Sequence, residues 1–209
     1  MDKEDITEFV RWAKEADERA PYPDFVTITC ERLVVAQLVR CAEHLEGDDP
    51  DGYRLLDAVR SLHLAMVAAM TAALNGSAGI GAMPDKARAK ATQALNQGEF
   101  ATGERVMSYG ELLTSVQTEG AMEWGPALAL TNDEAETCKT LNARRERIDH
   151  PKPSSFLEAR SELRRICRVV APIVPRLADC VGHHFENEDR GRLNCAVQRI
   201  QNAVSSGGE

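Results

Sequence analysis

The segment Thr131–Pro153 reads TNDEAETCKTLNARRERIDHPKP, and its two ends carry the signals of a helix start and a helix stop. Thr131 followed three residues later by Glu134 is a capping box, in which each side chain accepts the backbone N–H of the other residue. His150 stands before Pro151, and the residue before a proline is pushed out of helical geometry. The segment therefore predicts a helix that ends at or just before His150.

One face of this predicted helix combines apolar residues with an arginine. Cys138, Leu141 and Ile148 recur at spacings of three and seven, which places them on one side of a helix. The position that completes this stripe, four residues after Leu141 and three before Ile148, is Arg145. Burial of an unpaired guanidinium costs several kcal/mol or more, by order of magnitude. We therefore expect Arg145 to have an anionic partner, a hydrated cleft or a subunit boundary.

The sequence LNARRERIDHP within this helix resembles the R-x4-6-H motif of HEPN domains. In that family, Leu-Asn is followed after two residues by Arg, a polar residue, three further residues and His. These places are held here by Leu141, Asn142, Arg145, Glu146 and His150. The residue after the Arg is commonly Asn, Asp or His in the family, and Glu146 departs from that pattern. The resemblance extends, more loosely outside the motif, over about residues 51–185.

The resemblance implies an all-α, HEPN-like antiparallel helical bundle that forms a homodimer and cleaves RNA without a metal. His150 would accept the 2′-OH proton or position the phosphate, since a histidine can exchange protons near neutral pH. Arg145 would stabilise charge on the phosphoryl oxygens, and the product would carry a 2′,3′-cyclic phosphate. Asn142 would orient this pair, while Glu146 would either fix Arg145 or repel RNA. Arg144 takes the place of Arg145 if the alignment is shifted by one residue.

Other interpretations of the same residues stay open. Periodicity alone favours a structural Arg145 capped by a carboxylate and a surface His150. A second interpretation is a non-catalytic HEPN-like module that binds RNA or a protein partner, suggested by Glu146 and by the acidity of the chain. A third is a helical bundle whose cleft holds a small ligand. The nuclease hypothesis fits a toxin or defence setting, in which an antitoxin protein would be a partner.

Charge is distributed unevenly along the 209 residues. The chain has a net charge of −8, which does not indicate a nucleic-acid-binding surface overall. The segment from Lys139 to Arg176, however, contains ten Lys and Arg residues and four acids, which gives it a local net charge of +6. Such a segment predicts either a phosphate-binding surface or a solvated helix face. The candidate RNA-binding residues are Arg144, Arg147, Lys152, Arg164 and Arg168.

Composition favours helices and a cytoplasmic protein without cofactors. Aromatic residues make up 5% of the chain and hydrophobic residues 43%, a helix-favouring, globular composition. None of the six cysteines lies in a C-x-x-C pair, so we expect buried free thiols in a reducing compartment. We expect no signal peptide and no membrane span.

No histidine has Glu three residues before it, so a di-metal carboxylate centre is not expected. The cluster His183, His184, Glu186 and Glu188 is interpreted as a solvated turn.

The order of helix signals predicts a bundle over residues 51–204 and a helical extension over residues 1–47. Helices are expected at 3–19, 24–46, 51–75, 84–96, 103–118, 131–150, 155–185 and 192–204, with prolines 172 and 175 kinking the seventh. The strongest pattern lies in 51–75, where apolar residues recur at four and three, as in a bundle seam. This seam consists of Leu55, Val59, Leu62, Met66, Ala69 and Ala73. His63 beside it is expected to be a core or boundary residue.

Overall fold

A computed structural model of the chain describes residues 29–99, 105–150, 157–181 and 185–206, which fold as helices and loops without a strand. The prediction of an all-α fold is confirmed. The predicted helix at 3–19 lies outside the described residues. In chain order the helices are α1 Cys30–Glu46, α2 Tyr53–Asn75, α3 Asp85–Asn96, α4 Tyr109–Val116, α5 Asn132–Asp149, α6 Arg160–Val170, α7 Ile173–Cys180 and α8 Asn187–Ser206.

Helix α2 is the centre of the fold, and it contacts α1, α4, α5, α6 and α7. All six residues of its predicted seam are buried, with Val59, Leu62 and Met66 fully excluded from solvent. Alanines fill much of the rest of its length, and their small side chains let neighbouring helices approach closely. Burial of this many apolar groups is the main contribution to stability in a helical fold. Helix α2 therefore supplies the rigid surface on which the motif helix lies.

Helix α1 packs on α2 and α8 and shares their hydrophobic core. Val34, Leu38 and Cys41 of α1 are fully buried in that core. A helix from within residues 1–47 therefore packs into the same core as the helices of residues 51–204. Since residues 1–28 lie outside the described residues, the division of the chain into an extension and a bundle stays a prediction.

Helices α4 and α8 begin at places other than those predicted. Helix α4 begins at Tyr109 rather than near 103, because Ser108 and Glu111 form a capping box there. Val106, expected on its apolar side, precedes the helix and is 47% exposed. Helix α8 begins at Asn187 rather than 192, so the polar sequence before 192 belongs partly to the helix.

The long helix predicted over 155–185 is two helices. Helix α6 ends at Val170 and α7 begins at Ile173, with Pro172 at the break. Proline lacks the N–H of a helical hydrogen bond, so the chain has a break at Pro172 where a kink was predicted. A capping box of Ser155 and Glu158, predicted at the start of this segment, involves a residue outside the described residues. The described helix begins at Arg160 with Ala159 as its N-cap, and Glu158 contacts arginines of α5.

By length and composition, α2 is a helix that could cross a membrane, with a mean hydropathy of 1.3 over its apolar window. Within that window, however, 72% is buried inside the fold. A core helix of a globular domain meets the same criteria, so the finding is weak evidence for a membrane span. All six cysteines are free, as expected, but only Cys41, Cys138 and Cys167 are buried. Cys30 and Cys180 are partly exposed and Cys195 is exposed, so the expectation of buried thiols is wrong for these three.

Candidate functional site

The motif helix α5 has both of the ends that its sequence predicts. The Thr131 hydroxyl accepts the N–H of Glu134 at 3.2 Å, and the Glu134 carboxylate accepts the N–H of Thr131 at 2.8 Å. At the other end His150 is the C-cap, and its N–H donates to the Glu146 carbonyl at 3.0 Å. Leu141 is fully buried and Ile148 is 8% exposed. The predicted apolar stripe therefore anchors α5 to the core.

Arg145 is held by two carboxylates of its own helix. Its Nε lies 2.7 Å from Oδ2 of Asp149, and its Nη1 lies 2.9 Å from Oε1 of Glu146. The Arg145 side chain is 30% exposed, so it lies at the edge of the core rather than within it. The expectation of an anionic partner is met, but the partners come from α5 itself. The charge of Arg145 therefore needs no RNA or second subunit to be compensated.

Asp149 joins α5 to the central helix α2. Its Oδ1 accepts from Nε of Arg60 at 2.7 Å, while its Oδ2 faces Arg145. Arg60 also donates from Nη2 to the Ile148 carbonyl oxygen at 3.2 Å. This carbonyl belongs to the last turn of α5, where the intrahelical acceptors lack partners and favour a nearby cation. The Arg60–Asp149–Arg145 chain thus fixes the end of the motif helix and the direction of the Arg145 side chain.

His150 and Arg145 converge on the same carboxylate. Nε2 of His150 lies 4.0 Å from Oε2 of Glu146, whose other oxygen contacts Arg145. His150 is 74% exposed and Glu146 is 51% exposed, so both side chains are accessible to solvent and to a ligand. A carboxylate between a guanidinium and an imidazole occupies the kind of position that a phosphate would take. Because its pairing is exposed, Glu146 can be displaced at a cost of about 1 kcal/mol or less.

Asn142 contacts a buried histidine of α2. Its Oδ1 lies 3.0 Å from Nε2 of His63, and with that oxygen as acceptor Nε2 is the protonated nitrogen. His63 is 5% exposed and stacks on Tyr109 with ring centroids 4.8 Å apart. Burial lowers the pKa of His63, the bond to Asn142 opposes this shift, and the charge of Arg145 adds to it. His63 is therefore neutral at pH 7, and Asn142 connects Arg145's helix to the core.

Two further titratable groups next to this cluster are inert. Burial raises the pKa of the Cys138 thiol to about 11, and it raises the pKa of Tyr109 well above its ordinary value. A thiol with such a pKa is protonated at neutral pH and is a poor nucleophile. Cys138 and Tyr109 accordingly belong to the buried support of the site.

The predicted RNA-binding residues are dispersed over several environments. Arg144 and Arg147 both contact the Glu158 carboxylate, at 3.1 and 3.0 Å, and Glu158 is 9% exposed. Arg144 therefore pairs with a different carboxylate from Arg145. Arg145, the arginine of the unshifted motif, is the one whose charge acts on His63, the partner of Asn142. Arg164 lines a cavity beside the end of α1, Arg168 is exposed on α6, and Lys152 lies outside the described residues.

Carboxylates also compensate other basic residues of the segment. Arg165 pairs with Asp133, and Arg176 pairs with Glu134 at 2.6 Å. Lys139 lies 3.4 Å from Glu136. The positive excess read from the sequence is therefore reduced at the folded surface, because acids from outside the strongly basic stretch lie against it.

No cluster of three or more His, Cys, Asp or Glu side chains suited to a metal occurs among the described residues. His183 and His184 lie outside these residues, so the interpretation of their segment as a solvated turn stays a prediction.

Sequence reasoning missed three members of the site, namely Arg60, His63 as a partner of Asn142, and Asp149. The contact of Asp149 with Arg145 had a signal, since the two are four residues apart on one helix face. The contacts with Arg60 and His63 had none, because they join residues about 80–90 positions apart.

Comparison of the chain with protein-family models, with curated proteins and with solved structures found no significant match. The functional argument below consequently depends on the residues of this site and on their geometry.

Proposed function

We propose that the protein is a HEPN-like, metal-independent endoribonuclease whose phosphate-binding position lies between Arg145 and His150. The observation that carries this proposal is the Glu146 carboxylate, which contacts Arg145 with one oxygen and approaches His150 with the other. A scissile phosphate that displaced this carboxylate would receive the guanidinium on its oxygens. The imidazole would then lie within reach of the 2′-OH.

The chemistry assigned to each group follows from its type. His150 takes the proton of the 2′-OH as its oxygen attacks phosphorus, and the bond from phosphorus to the 5′ oxygen breaks. The leaving 5′ oxygen takes a proton from water, so the products are a 2′,3′-cyclic phosphate and a 5′-OH end. Arg145 stabilises the added negative charge on the phosphoryl oxygens. Asp149 and Arg60 fix the direction of Arg145, and Asn142 fixes the helix through His63.

A cleavage assay on structured RNA in the presence of EDTA tests this proposal. Removal of one well-placed charge-stabilising group typically lowers kcat by about 100- to 1,000-fold, so Arg145→Ala and His150→Ala should each lower the rate by that order. His44→Ala and Arg165→Ala are the matched controls, because they remove the same residue types from other surfaces and should leave the rate nearly unchanged. Cleavage by His150→Ala at the wild-type rate would contradict the assignment.

The proposed homodimer is tested separately. A dimer of the 23.0 kDa chain should give about 46 kDa by light scattering. A monomeric mass at assay concentrations would remove the dimer from the proposal while leaving the cleavage test intact. A role in toxicity or defence, an antitoxin partner and a cytoplasmic location remain parts of the proposal.

The second candidate is a non-catalytic HEPN-like module that binds RNA. It is favoured by the compensation of Arg145, Arg144 and Arg147 by carboxylates, which lowers the charge available for catalysis. This candidate predicts binding of labelled RNA in a fluorescence-anisotropy titration and no cleavage at any pH. Absence of both binding and cleavage would exclude it for RNA.

A further inference from the structure

A cavity of about 540 Å³ lies where the end of α1, the turn at 47–52, the first turn of α2 and the start of α6 meet. Its wall includes His44, Arg160 and Arg164, together with the apolar side chains of Leu45 and Leu55. None of the described residues of α5 belongs to this wall, so the cavity is separate from the Arg145 site. Its volume lies within the range of small-molecule sites, about 300–1,000 Å³.

Arg160 is fixed in this wall by neutral groups. Its Nη1 donates to the Asp49 carbonyl oxygen at 2.9 Å and its Nη2 to the Pro50 carbonyl oxygen at 2.5 Å. A guanidinium has five N–H donors, so three of them remain after these two bonds. Within the described part of the chain no carboxylate forms an ion pair with Arg160. Its exposed side chain is therefore held in place by two carbonyl groups, without an ion pair among the described residues.

One of the two acids of the wall, Asp49, is engaged elsewhere. The Asp49 carboxylate accepts the backbone N–H groups of Arg54 and Leu55, both at 3.0 Å, and so caps the N-terminus of α2. Carboxylates are stabilised at that end of a helix, and their oxygens are then directed at the helix. Asp48 also lines the cavity, and both it and Arg160 are exposed, so solvent screens the interaction between the two charges.

Arg164 lies one turn after Arg160 on α6, and residues four apart are neighbours on a helix surface. Both line the cavity, with His44 on the facing end of α1. Two guanidiniums on one wall suit an oxyanion, since their planar donor pairs match phosphate and carboxylate oxygens. The apolar wall of Leu45 and Leu55 suits a carbon skeleton attached to that oxyanion.

We propose that this cavity binds a small molecule carrying an oxyanion, either a phosphate ester or a carboxylate, through Arg160 and Arg164. The body of the ligand lies against Leu45 and Leu55. The site is independent of the Arg145 site, so its ligand binds whether or not the protein cleaves RNA.

Isothermal titration of the full-length protein with AMP, citrate and adenosine tests the proposal. We expect AMP or citrate to bind and adenosine, which lacks the oxyanion, not to bind. AMP binding identifies the phosphate class and citrate binding the carboxylate class. Arg160→Gln and Arg164→Gln should each weaken binding by about tenfold or more, as expected for loss of a charge-assisted hydrogen bond.

Arg168→Gln is the matched control, because it makes the same change one turn further along α6, outside the cavity wall. It should bind within about twofold of wild type. Since Arg160 also holds the turn at Asp49 and Pro50, its variant is first checked by thermal unfolding, and Arg164→Gln decides if Arg160→Gln is unfolded. Failure of both anions to bind at millimolar concentration overturns the proposal. Equal losses in Arg164→Gln and Arg168→Gln overturn it as well.

Discussion

Replacement of Asp149 by Asn tests how Arg145 is held. Asp149 accepts from Arg60 and from Arg145, each at 2.7 Å, so the substitution weakens two ion pairs at once. The side chains are partly exposed, 26% for Asp149, 42% for Arg60 and 30% for Arg145, so each pair contributes only about 0.5–1 kcal/mol. We expect the free energy of unfolding to fall by about 1–2 kcal/mol. For a chain of this size, the melting temperature should then fall by about 3–6 °C.

The assay is chemical denaturation followed by circular dichroism, with Asp179→Asn as the matched control. Asp179 also pairs with an arginine at 2.7 Å, but among the described residues it has one such partner, and it is 66% exposed. The control should lose less than about 0.5 kcal/mol. A double-mutant cycle between Asp149→Asn and Arg60→Gln should give a coupling of about 0.5–1 kcal/mol. An equal loss in Asp149→Asn and Asp179→Asn, or no coupling, would refute the role of Asp149 as a bridge.

Three further predictions concern the motif helix and the histidine of α2 that it contacts. Glu146→Gln should raise the rate of RNA cleavage by about 2- to 5-fold, because the phosphate no longer competes with a carboxylate whose ion pair contributes about 0.5–1 kcal/mol. Glu136→Gln on the same helix should leave the rate unchanged. A lower rate in Glu146→Gln alone would contradict this prediction. Leu141→Ala should lower the free energy of unfolding by about 2–5 kcal/mol in denaturant, since Leu141 is fully buried. Leu95 is 39% exposed, so Leu95→Ala should lower it much less. Equal losses in the two variants would be inconsistent with the packing of α5. Burial lowers the pKa of His63, so on acidification the unfolded chain takes up a proton at this histidine before the folded chain does. The free energy of unfolding should therefore fall as the pH drops below about 6.5. His63→Gln should show a smaller fall between pH 7 and 5, and an identical fall would contradict the lowered pKa.

The sequence predicts the motif helix well because its determinants are local. Thr131 and Glu134 are three residues apart, and the stripe of Leu141 and Ile148 is a matter of helical spacing. The seam of α2 is predictable for the same reason. The start of α4 at Tyr109 also has a local signal, the Ser108–Glu111 capping box, which the apolar spacing of residues 103–118 does not reveal.

The candidate site is only partly predictable, since its contacts join distant segments. The direction of Arg145 is set by Asp149, and that of Asp149 by Arg60 on α2. The local excess of positive charge from Lys139 to Arg176 does not reveal that Glu158 forms ion pairs with both Arg144 and Arg147. Ion pairs of this kind depend on how helices are placed side by side, and a count of charges along the chain carries no such information.

The chemistry of the RNA ends tests the central claim most directly. Fragments produced by the wild-type protein in EDTA are analysed by mass spectrometry for the group at their 3′ ends. A 2′,3′-cyclic phosphate is expected from wild type and from His44→Ala, and its yield should fall by about 100-fold or more in Arg145→Ala and in His150→Ala. Fragments ending in a 3′-OH, or cyclic ends formed equally well without His150, would contradict the assignment of the phosphate to the position between Arg145 and His150.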